Sequence, residues 1–373
     1  MSNSQHTNDE LLAILRLQNI PNVGDVIAKK LISHCGSPSA IFDDKRNHLL
    51  KIDGIGTHTI KHLFDVEHLE AAEEELQFIE ANNIKYTYFL DLDYPNYLKH
   101  CIDSPILLFK QGNIELEGRR IISVVGTRNI TSYGMAFCEQ FVEDIAPLNP
   151  IIVSGFAYGV DICIQKAALN HGLQTIGCLA HGLNQIYPKT HAKYQADVRA
   201  NGGFLTEFWS TSSPERENFL KRNRIIAGMS EATIVVESAE KGGSLVTANI
   251  ANSYNRDVFA VPGRTSDKYS LGCNILIKQQ KAHMLTSAAD LIYLLDWSLD
   301  EEQVSKTIQK QLFVNLDDTE QAIYTYLEQN GKQLLDTISL VCKLPIFKTS
   351  STLLTMEMKG VIRPLPGKLF EAI

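Results

Sequence analysis

The sequence lacks the signatures of secreted, metal-binding and membrane-spanning proteins. Its seven cysteines are scattered, odd in number and never spaced as Cys-x-x-Cys, which argues against a disulfide framework or a zinc site and for reduced thiols. No apolar run is long enough to cross a bilayer, and the polar start has no signal-peptide core. We therefore expect a cytoplasmic protein with no membrane segment.

Motifs of common nucleotide-binding and hydrolytic enzymes are also missing. No Gly-x-Gly-x-x-Gly follows the first central strand, and the next strand ends in Ser154-Gly155 rather than in an acid that would bind a ribose. Gly242-Gly243-Ser244 is not a P-loop, because its lysine precedes the glycines. There is no Gly-x-Ser-x-Gly, and His171, His181 and His191 are too far apart for a helical metal pair. We predict no catalytic residue, no cofactor and no metal.

The overall charge is not that of a nucleic-acid-binding polycation. The 373 residues include 44% hydrophobic and 21% charged residues, with a net charge of -8. These values are typical of a globular chain of two or three domains. Binding to a polyanion would therefore require a local cationic patch.

Such a patch occurs between Arg216 and Ser230. Its first half carries Arg216, Lys221, Arg222 and Arg224 with one aromatic, Phe219, and its second half is apolar. We expect a helix whose apolar end packs on a sheet, while the arginines stand at its exposed start. Arginines fixed in this way suit phosphate esters.

The central region alternates between strand-like and helical segments, which predicts a Rossmann-like, mostly parallel sheet with helices on both faces. The helices are expected to start near Ser132, Val160, Thr190, Glu215 and Ser244, and a sixth near Cys273. The predicted strands are Ile121–Val125, Pro150–Val153, Gln174–Cys178, Phe204–Glu207, Ala232–Glu237, Asp257–Val261 and a short one at His283–Thr286.

Three glycine-bearing loops follow strands of this sheet, and ligands bind beyond the carboxyl ends of such strands. Gly126, Gly155 and the Gly242-Gly243 pair can let a phosphate approach main-chain N–H groups. Arg128 would lie on the same rim as the helix arginines, with an ion pair to Asp161 as the alternative. Asp161 and Glu207 can form an acid–base pair, but more simply they cap helices and orient the arginines.

We predict four segments: a helical domain (1–82), the sheet domain (83–298), a linker (299–314) and a winged-helix domain (315–373). The first contains two helix-hairpin-helix-like repeats, Asn19–Leu31 and Lys51–Leu63, each a glycine turn followed by a helix, which can contact DNA or serve only for packing. The acidic stretch Ala71–Asn82 is expected to be a solvated helix. The last segment predicts three helices and a hairpin, and its net charge of about -1 favours protein contact over duplex DNA.

Individually weak motifs along the central domain combine into a specific pattern. The motifs are Val124-Val-Gly-Thr-Arg with Ser132-Tyr-Gly, Ser154-Gly-x-Ala-x-Gly-Val-Asp, Tyr187-Pro, Glu207-Phe, Phe219 with Arg222-Asn-Arg-Ile-Ile-Ala-Gly, Gly243-Ser-Leu-x-Thr-Ala, Val258-Phe-Ala-Val-Pro-Gly and Gly272-Cys-Asn. By these motifs and by its three-part layout, the chain resembles the DNA-processing protein A (DprA/Smf) family, whose members are recombination mediators in natural transformation.

The resemblance implies a protein without catalytic turnover that binds single-stranded DNA through its Rossmann-like domain, dimerises through that domain, and loads RecA recombinase during DNA uptake. Where the family carries an Ala-His pair, this chain departs from the pattern and has a nearby Lys166 that can add positive charge. The residues expected at the DNA are Arg128, Ser154, Gly155, Phe219, Lys221, Arg222, Asn223, Arg224, Lys241, Gly243 and Ser244.

Two other functions remain open at this point. The fold is similar to that of nucleotide phosphoribohydrolases of the lysine-decarboxylase-like group. When their phosphate loop is aligned on Gly242-Gly243, however, the positions of its proline, third glycine and catalytic glutamate are occupied by Lys241, Leu245 and Asn249. Both the phosphate loop and the catalytic acid are therefore altered in this chain. A scaffold that contacts only proteins is the third possibility.

Overall fold

A computed structural model describes residues 6–297, 316–359, 361–365 and 368–372. The chain divides into two compact units, Met1–Ser298 and Leu299–Ile373. The predicted linker at 299–314 lies outside the described residues. Among the helices that are described, none combines the length and the apolar character that a membrane span requires.

The first unit begins with short helices that share a core with the sheet. Their apolar faces pack with Phe156, Leu179 and Phe204 of the sheet domain in one buried cluster. The 82/83 boundary stays a prediction, since the helices and the sheet belong to one compact unit. The helices are α1 (Asn8–Asn19), α2 (Asp25–Cys35), α3 (Ala40–Asp43), α4 (Arg46–Leu49) and α5 (Val66–Ala81).

The second of the two predicted hairpins does not form as expected. Residues 51–64 are turns with no helix after the glycines, because Thr57, Thr59 and Ile60 are β-branched and favour helix poorly. The turn of the first hairpin leads into α2, as predicted, and Asp25 at the helix start accepts a hydrogen bond from the Ile106 N–H at 2.8 Å. That helix start is therefore used for internal packing.

The acidic helix α5 is only partly solvated. Glu73, Glu74 and Glu80 are exposed, as predicted, but Glu75 is buried. Its carboxylate accepts hydrogen bonds from the N–H and the hydroxyl of Ser210. The prediction of a wholly solvated face is therefore wrong at this position, where the helix is tied to the sheet domain.

A nine-stranded sheet forms the centre of this unit, in the order β1-β2-β6-β5-β4-β3-β7-β8-β9. Strands β3 to β9 are parallel, and β1 and β2 extend the sheet in antiparallel pairing. The strands are β1 (Lys85–Tyr88), β2 (Leu107–Gly112), β3 (Ile121–Val125), β4 (Ile151–Ser154), β5 (Thr175–Cys178), β6 (Gly202–Thr206), β7 (Ala232–Val235), β8 (Asp257–Ala260) and β9 (His283–Met284).

Helices cover both faces of the sheet, and each face packs against its helices through a separate apolar core. The predicted Rossmann-like class is therefore confirmed. The helix expected near Thr190 starts instead as a 3₁₀ segment, Lys189–Tyr194, that leads into α9. The helices are α6 (Asn96–Lys99), α7 (Ser132–Ile145), α8 (Val160–Asn170), α9 (Gln195–Ala200), α10 (Arg216–Gly228), α11 (Gly243–Ser253), α12 (Leu271–Lys278) and α13 (Ala288–Leu294).

The second unit has the predicted winged-helix fold. Asp317 caps its first helix by accepting hydrogen bonds from the N–H groups of Thr319 and Glu320, a typical helix start. Ile323, Leu327, Ile338, Leu353 and Met356 form its core. The elements are α14 (Asp318–Asn330), β10 (Gln333–Leu334), α15 (Leu335–Val341), α16 (Ile346–Met358), β11 (Ile362–Leu365) and β12 (Leu369–Ala372).

Candidate nucleic-acid interface

The cationic segment forms α10, and the helix distributes its charges over two sides. Ile225, Ile226 and Ala227 are buried, as the apolar second half predicts. Because successive residues are 100° apart, positions three apart share a face. Arg216 and Phe219 accordingly line one cavity, while Lys221 and Arg224 line another.

The first of these cavities lies at the carboxyl ends of β3, β4 and β7, and we call it the carboxyl-edge cleft. It has a volume of about 710 Å³. This position is where open α/β sheets bind ligands. Its lining brings together several predicted residues, Arg216 of the cationic segment, and Tyr158. The predicted residues in the lining are Arg128, Phe219, Arg222, Asn223, Lys241, Gly243 and Ser244.

Arg128 is exposed at this cleft, and the structure shows no ion pair for it among the described residues. The alternative ion pair with Asp161 does not form. The guanidinium carbon of Arg128 lies 5.4 Å from the centre of the Phe219 ring, within the range of a cation–π contact. Both a cation and an aromatic surface therefore face the cleft.

The start of α11 contributes backbone donors to the opposite wall. Gly242 is the N-cap and provides no side-chain cap, so the first N–H groups of the helix are open to an anion. Gly243 is exposed with nothing near its missing side chain. The Ser244 hydroxyl is buried and donates to the Ser238 hydroxyl at 2.9 Å. Ser244 can therefore present its main-chain N–H, rather than its side chain, to an anion in the cleft.

Arg222 does not stand at an exposed helix start, contrary to the prediction. Its side chain is buried, with 4% of the residue exposed. Its guanidinium donates hydrogen bonds to the carbonyl oxygens of Gly155 and Cys178. Burial lowers the pKa of Arg222, whereas the nearby Asp161 opposes that shift. Arg222 therefore stabilises the floor of the cleft and is not free to hold phosphates.

Ser154 and Gly155 also belong to the interior, which corrects their prediction as DNA-contacting residues. The Ser154 hydroxyl is buried and donates to the Val124 carbonyl at 2.6 Å. A side chain at Gly155 would place its Cβ 2.3 Å from a guanidinium nitrogen of Arg222. The glycine is required here because Arg222 passes directly over it.

Arg224 lies in the second cavity and is held by two carboxylates. It forms ion pairs with Glu207 and with Asp25, the latter at 3.0 Å. The prediction that Arg224 shares one rim with Arg128 is wrong, while the prediction that Glu207 orients an arginine is confirmed. Burial raises the pKa of Glu207 to about 7, and the Arg224 charge opposes that rise.

The cleft has a single carboxylate in its lining, Asp161. That residue is buried; its carboxylate accepts from the Ala157 N–H at 3.4 Å, and burial raises its pKa. Asn249, which aligns with the catalytic glutamate of the phosphoribohydrolases, is exposed on α11. The position of the catalytic glutamate therefore carries no carboxylate in this chain.

Tyr158 is the cleft residue that the sequence analysis missed. It follows Gly155 by three residues, in the loop after β4, and is 43% exposed. The signal was present, because an aromatic in a loop at the carboxyl edge of a sheet is a candidate contact. Ser154 of the same motif is buried because it ends β4, whereas Tyr158 is exposed because the loop after β4 carries it to the surface.

Comparison with known proteins places the chain among proteins that process DNA. The profile described as DNA recombination-mediator protein A matches residues 85–296, and that of the DprA winged helix domain matches residues 311–368. Protein Smf of Synechocystis is 29% identical over 398 residues, covering 98% of this chain and 99% of that protein. Protein Smf of Escherichia coli is 32% identical, covering 74% of each chain.

Two solved structures are similar as well. DNA processing protein A from Streptococcus pneumoniae superposes with a TM-score of 0.65 at 30% identity, covering 78% of this chain and 98% of that one. The Helicobacter pylori protein, described for its single-stranded DNA binding mode, gives 0.51 at 28% identity, covering 57% and 95%. The match of the family profile to more than half of the chain, together with the shared fold, shows that this chain belongs to the DNA recombination-mediator protein A family.

Proposed function

We propose that this protein binds single-stranded DNA in the carboxyl-edge cleft, protects it, and presents it to RecA recombinase in the cytoplasm during DNA uptake and recombination. One observation carries the DNA part of the proposal. Arg128 lies exposed over Phe219, without an ion pair among the described residues, and α11 begins with no side-chain cap at the same cleft.

The chemistry of the cleft suits an unpaired strand. Arg128, Arg216 and Lys241 are exposed cations for phosphates, and the Phe219 ring offers a surface on which a base can stack. A cationic groove with an aromatic platform binds single strands with little sequence preference, because every base has a stacking face. The description of the Helicobacter relative as a single-stranded DNA-binding protein supports the same function here.

The step to RecA rests on the family and not on a contact in the structure. The family profile is described as a DNA recombination mediator, and delivery of the bound strand to a recombinase is the step that we assign to that role. The proposed step can be measured as faster assembly of RecA filaments on DNA that is already coated with single-strand-binding protein.

We also propose a homodimer formed through the β9 edge of the sheet. Strand β9 pairs with β8 alone in the described sheet, and an unpaired edge invites pairing with another chain. Met284 on this strand is 54% exposed, and Tyr293 on the neighbouring α13 is 85% exposed. Sedimentation of the Tyr293→Glu variant should show a shift toward the monomer if this edge is the interface.

Removal of Arg128 tests the DNA proposal. We expect Arg128→Ala to weaken binding of oligonucleotides of any sequence by roughly tenfold, and to reduce the slope of log affinity against log salt by about 0.7. Fluorescence anisotropy at several salt concentrations measures both quantities. Arg119→Ala is the matched control, since this arginine bonds to Asn149 away from the cleft. Equal binding by both variants would refute the proposed position of the strand.

A further inference from the structure

A second cationic surface begins at the edge of the carboxyl-edge cleft. Between Tyr158 and Tyr194 the sequence has three lysines and one carboxylate, Asp161, and that carboxylate is buried. The segment is thus a positively charged region on a chain whose net charge is -8. The three lysines, Lys166, Lys189 and Lys193, are all exposed.

Aromatic rings connect the cleft to these lysines. The Tyr187 ring meets the Phe219 ring of the cleft edge-on, with centroids 5.8 Å apart. Tyr187 and the cleft residue Tyr158 are both more than one-third exposed. Tyr158 packs against His191 at 5.0 Å, and His191 packs against Tyr194 at 6.2 Å. Two sets of ring contacts therefore start at the cleft, one from Phe219 to Tyr187 and one from Tyr158 through His191 to Tyr194.

Two of the lysines stand at the far end of the set that starts at Tyr158. The ammonium groups of Lys166 and Lys193 lie 5.5 Å and 5.0 Å from the centre of the Tyr194 ring. They come from different elements, α8 and the 3₁₀ segment. Two separate elements thus place positive charge beside one ring, and neither lysine has an ion pair in the described part of the chain.

The internal contacts hold this arrangement in place. The buried His191 ring shares a hydrogen bond with the Phe156 carbonyl oxygen at 3.0 Å, and the Thr190 hydroxyl donates to the Tyr158 hydroxyl at 3.2 Å. Because the His191 ring is anchored to the core, the exposed Tyr158 and the half-buried Tyr194 that pack against it keep their spacing without a ligand. A rigid series of aromatic rings with interleaved cations is the chemistry that binds the bases and phosphates of a single strand.

We propose that the single strand leaves the cleft across Tyr158 and continues over Tyr187, Lys189, Lys193, Tyr194 and Lys166, which we call the tyrosine–lysine track. The track is a second section of the binding surface, with phosphates held by the lysines and bases stacked on the exposed rings. This inference rests on the proposed function, because the strand must first occupy the cleft.

Oligonucleotide length tests the track separately from the cleft. Oligothymidines of about 5 and about 25 nucleotides, near the lower limit of and above the lengths held by typical single-strand-binding modules, serve as probes for the full chain. We expect Lys166→Gln/Lys193→Gln to bind the short probe as the wild type does, and the long probe roughly tenfold more weakly. Its salt slope for the long probe should fall by about 1.4, the value for two lost phosphate contacts.

Two further variants complete the test. Lys45→Gln/Lys85→Gln removes the same charge from two exposed lysines that belong to neither the cleft nor the track, one before α4 and one on β1, and should bind both probes normally. Lys166→Arg/Lys193→Arg keeps the charge and should keep the affinity for the long probe.

The outcomes separate the two proposals. Unchanged binding of the long probe by the glutamine pair, or an equal loss for both probes, would overturn the track and leave the cleft standing. If Arg128→Ala leaves both probes unaffected, the cleft is wrong, and the track falls with it.

Discussion

At the scale of single residues, three arginines that were predicted to bind DNA have three different roles. Arg128 is exposed and available to a ligand, Arg222 stabilises the cleft floor, and Arg224 pairs with Glu207 and Asp25. The same residue type serves differently because the free energy of a buried guanidinium depends on internal acceptors. Only the exposed residues can exchange counterions for DNA phosphates.

Glu207 should make the stability of the first unit depend on pH. Its pKa is raised to about 7 by burial, so the folded state binds a proton more tightly than the unfolded state does. The contribution is therefore fully present below the ordinary pKa of the carboxyl and is lost as pH rises through about 7. We expect Glu207→Gln to flatten the dependence of the unfolding free energy on pH between about 5 and 8.

Urea unfolding followed by tryptophan fluorescence measures this effect, since Trp209 and Trp297 are the two tryptophans and both lie in the first unit. Glu73→Gln is the control, because Glu73 is exposed on α5. Identical pH profiles for wild type and Glu207→Gln would contradict the expectation.

The sequence could indicate these residues but not their roles. It shows that four cations and an aromatic occur within one helix, and those residues are present as expected in α10. A rotation of that helix by one residue turns every side chain by 100° and would exchange the positions of Arg222 and its neighbours. The rotation is set by packing of Ile225 and Ile226 against the sheet, which the local charge pattern does not reveal.

At the scale of secondary-structure elements, the loop that carries Arg128 is seated on the start of α8. The Val160 N–H donates to the Thr127 carbonyl at 3.1 Å. Gly159 has a φ of +78°, and a Cβ there would lie 2.1 Å from the Thr127 carbonyl oxygen. This close approach of two loops, rather than turn formation alone, requires the glycine.

Gly159→Ala should therefore displace the Arg128 loop. We expect a loss of stability of about 1–3 kcal/mol from the strained backbone, together with weaker binding of single-stranded DNA. Thermal unfolding and anisotropy measure the two effects.

Gly172→Ala separates strain from displacement, because Gly172 also has a positive φ of +72° but open space around it. It should lose stability with no change in DNA affinity. DNA binding by Gly159→Ala equal to that of the wild type would show that the loop tolerates the contact.

The elements themselves were largely predictable, and the exceptions have physical reasons. Parallel strands such as β3 and β7 are buried on both faces and read as apolar runs. The second hairpin repeat looked regular because its glycines were spaced correctly, yet its β-branched residues leave it as turns. The short strand β9, His283–Met284, forms within the predicted segment His283–Thr286.

At the scale of the whole molecule, the N-terminal helices and the winged-helix unit differ in whether they can fold without the sheet domain. The N-terminal helices share a core with the sheet, whereas the winged-helix unit has its own core of Ile323, Leu327, Ile338, Leu353 and Met356. A unit with its own core can fold alone. The helices of the first unit lack that independence.

Truncation tests this difference. We expect residues 1–298 to fold and to bind a short oligothymidine with the affinity of the full chain, because the cleft lies within that unit. Removal of residues 1–82 should instead expose the Phe156 and Phe204 cluster and cause aggregation. Circular dichroism, size-exclusion chromatography and anisotropy provide the measurements. A soluble, folded 83–373 fragment would contradict the shared-core argument.

The buried guanidinium of Arg222 has a consequence for the energetics of association. Its bonds to Gly155 and Cys178 fix the cleft floor in advance, so an arriving strand meets a preorganised surface. The loss of conformational entropy on binding then falls on the exposed rim side chains, Arg128, Arg216 and Lys241, and on the strand itself. The backbone beneath should show the same hydrogen-exchange protection whether the strand is present or absent.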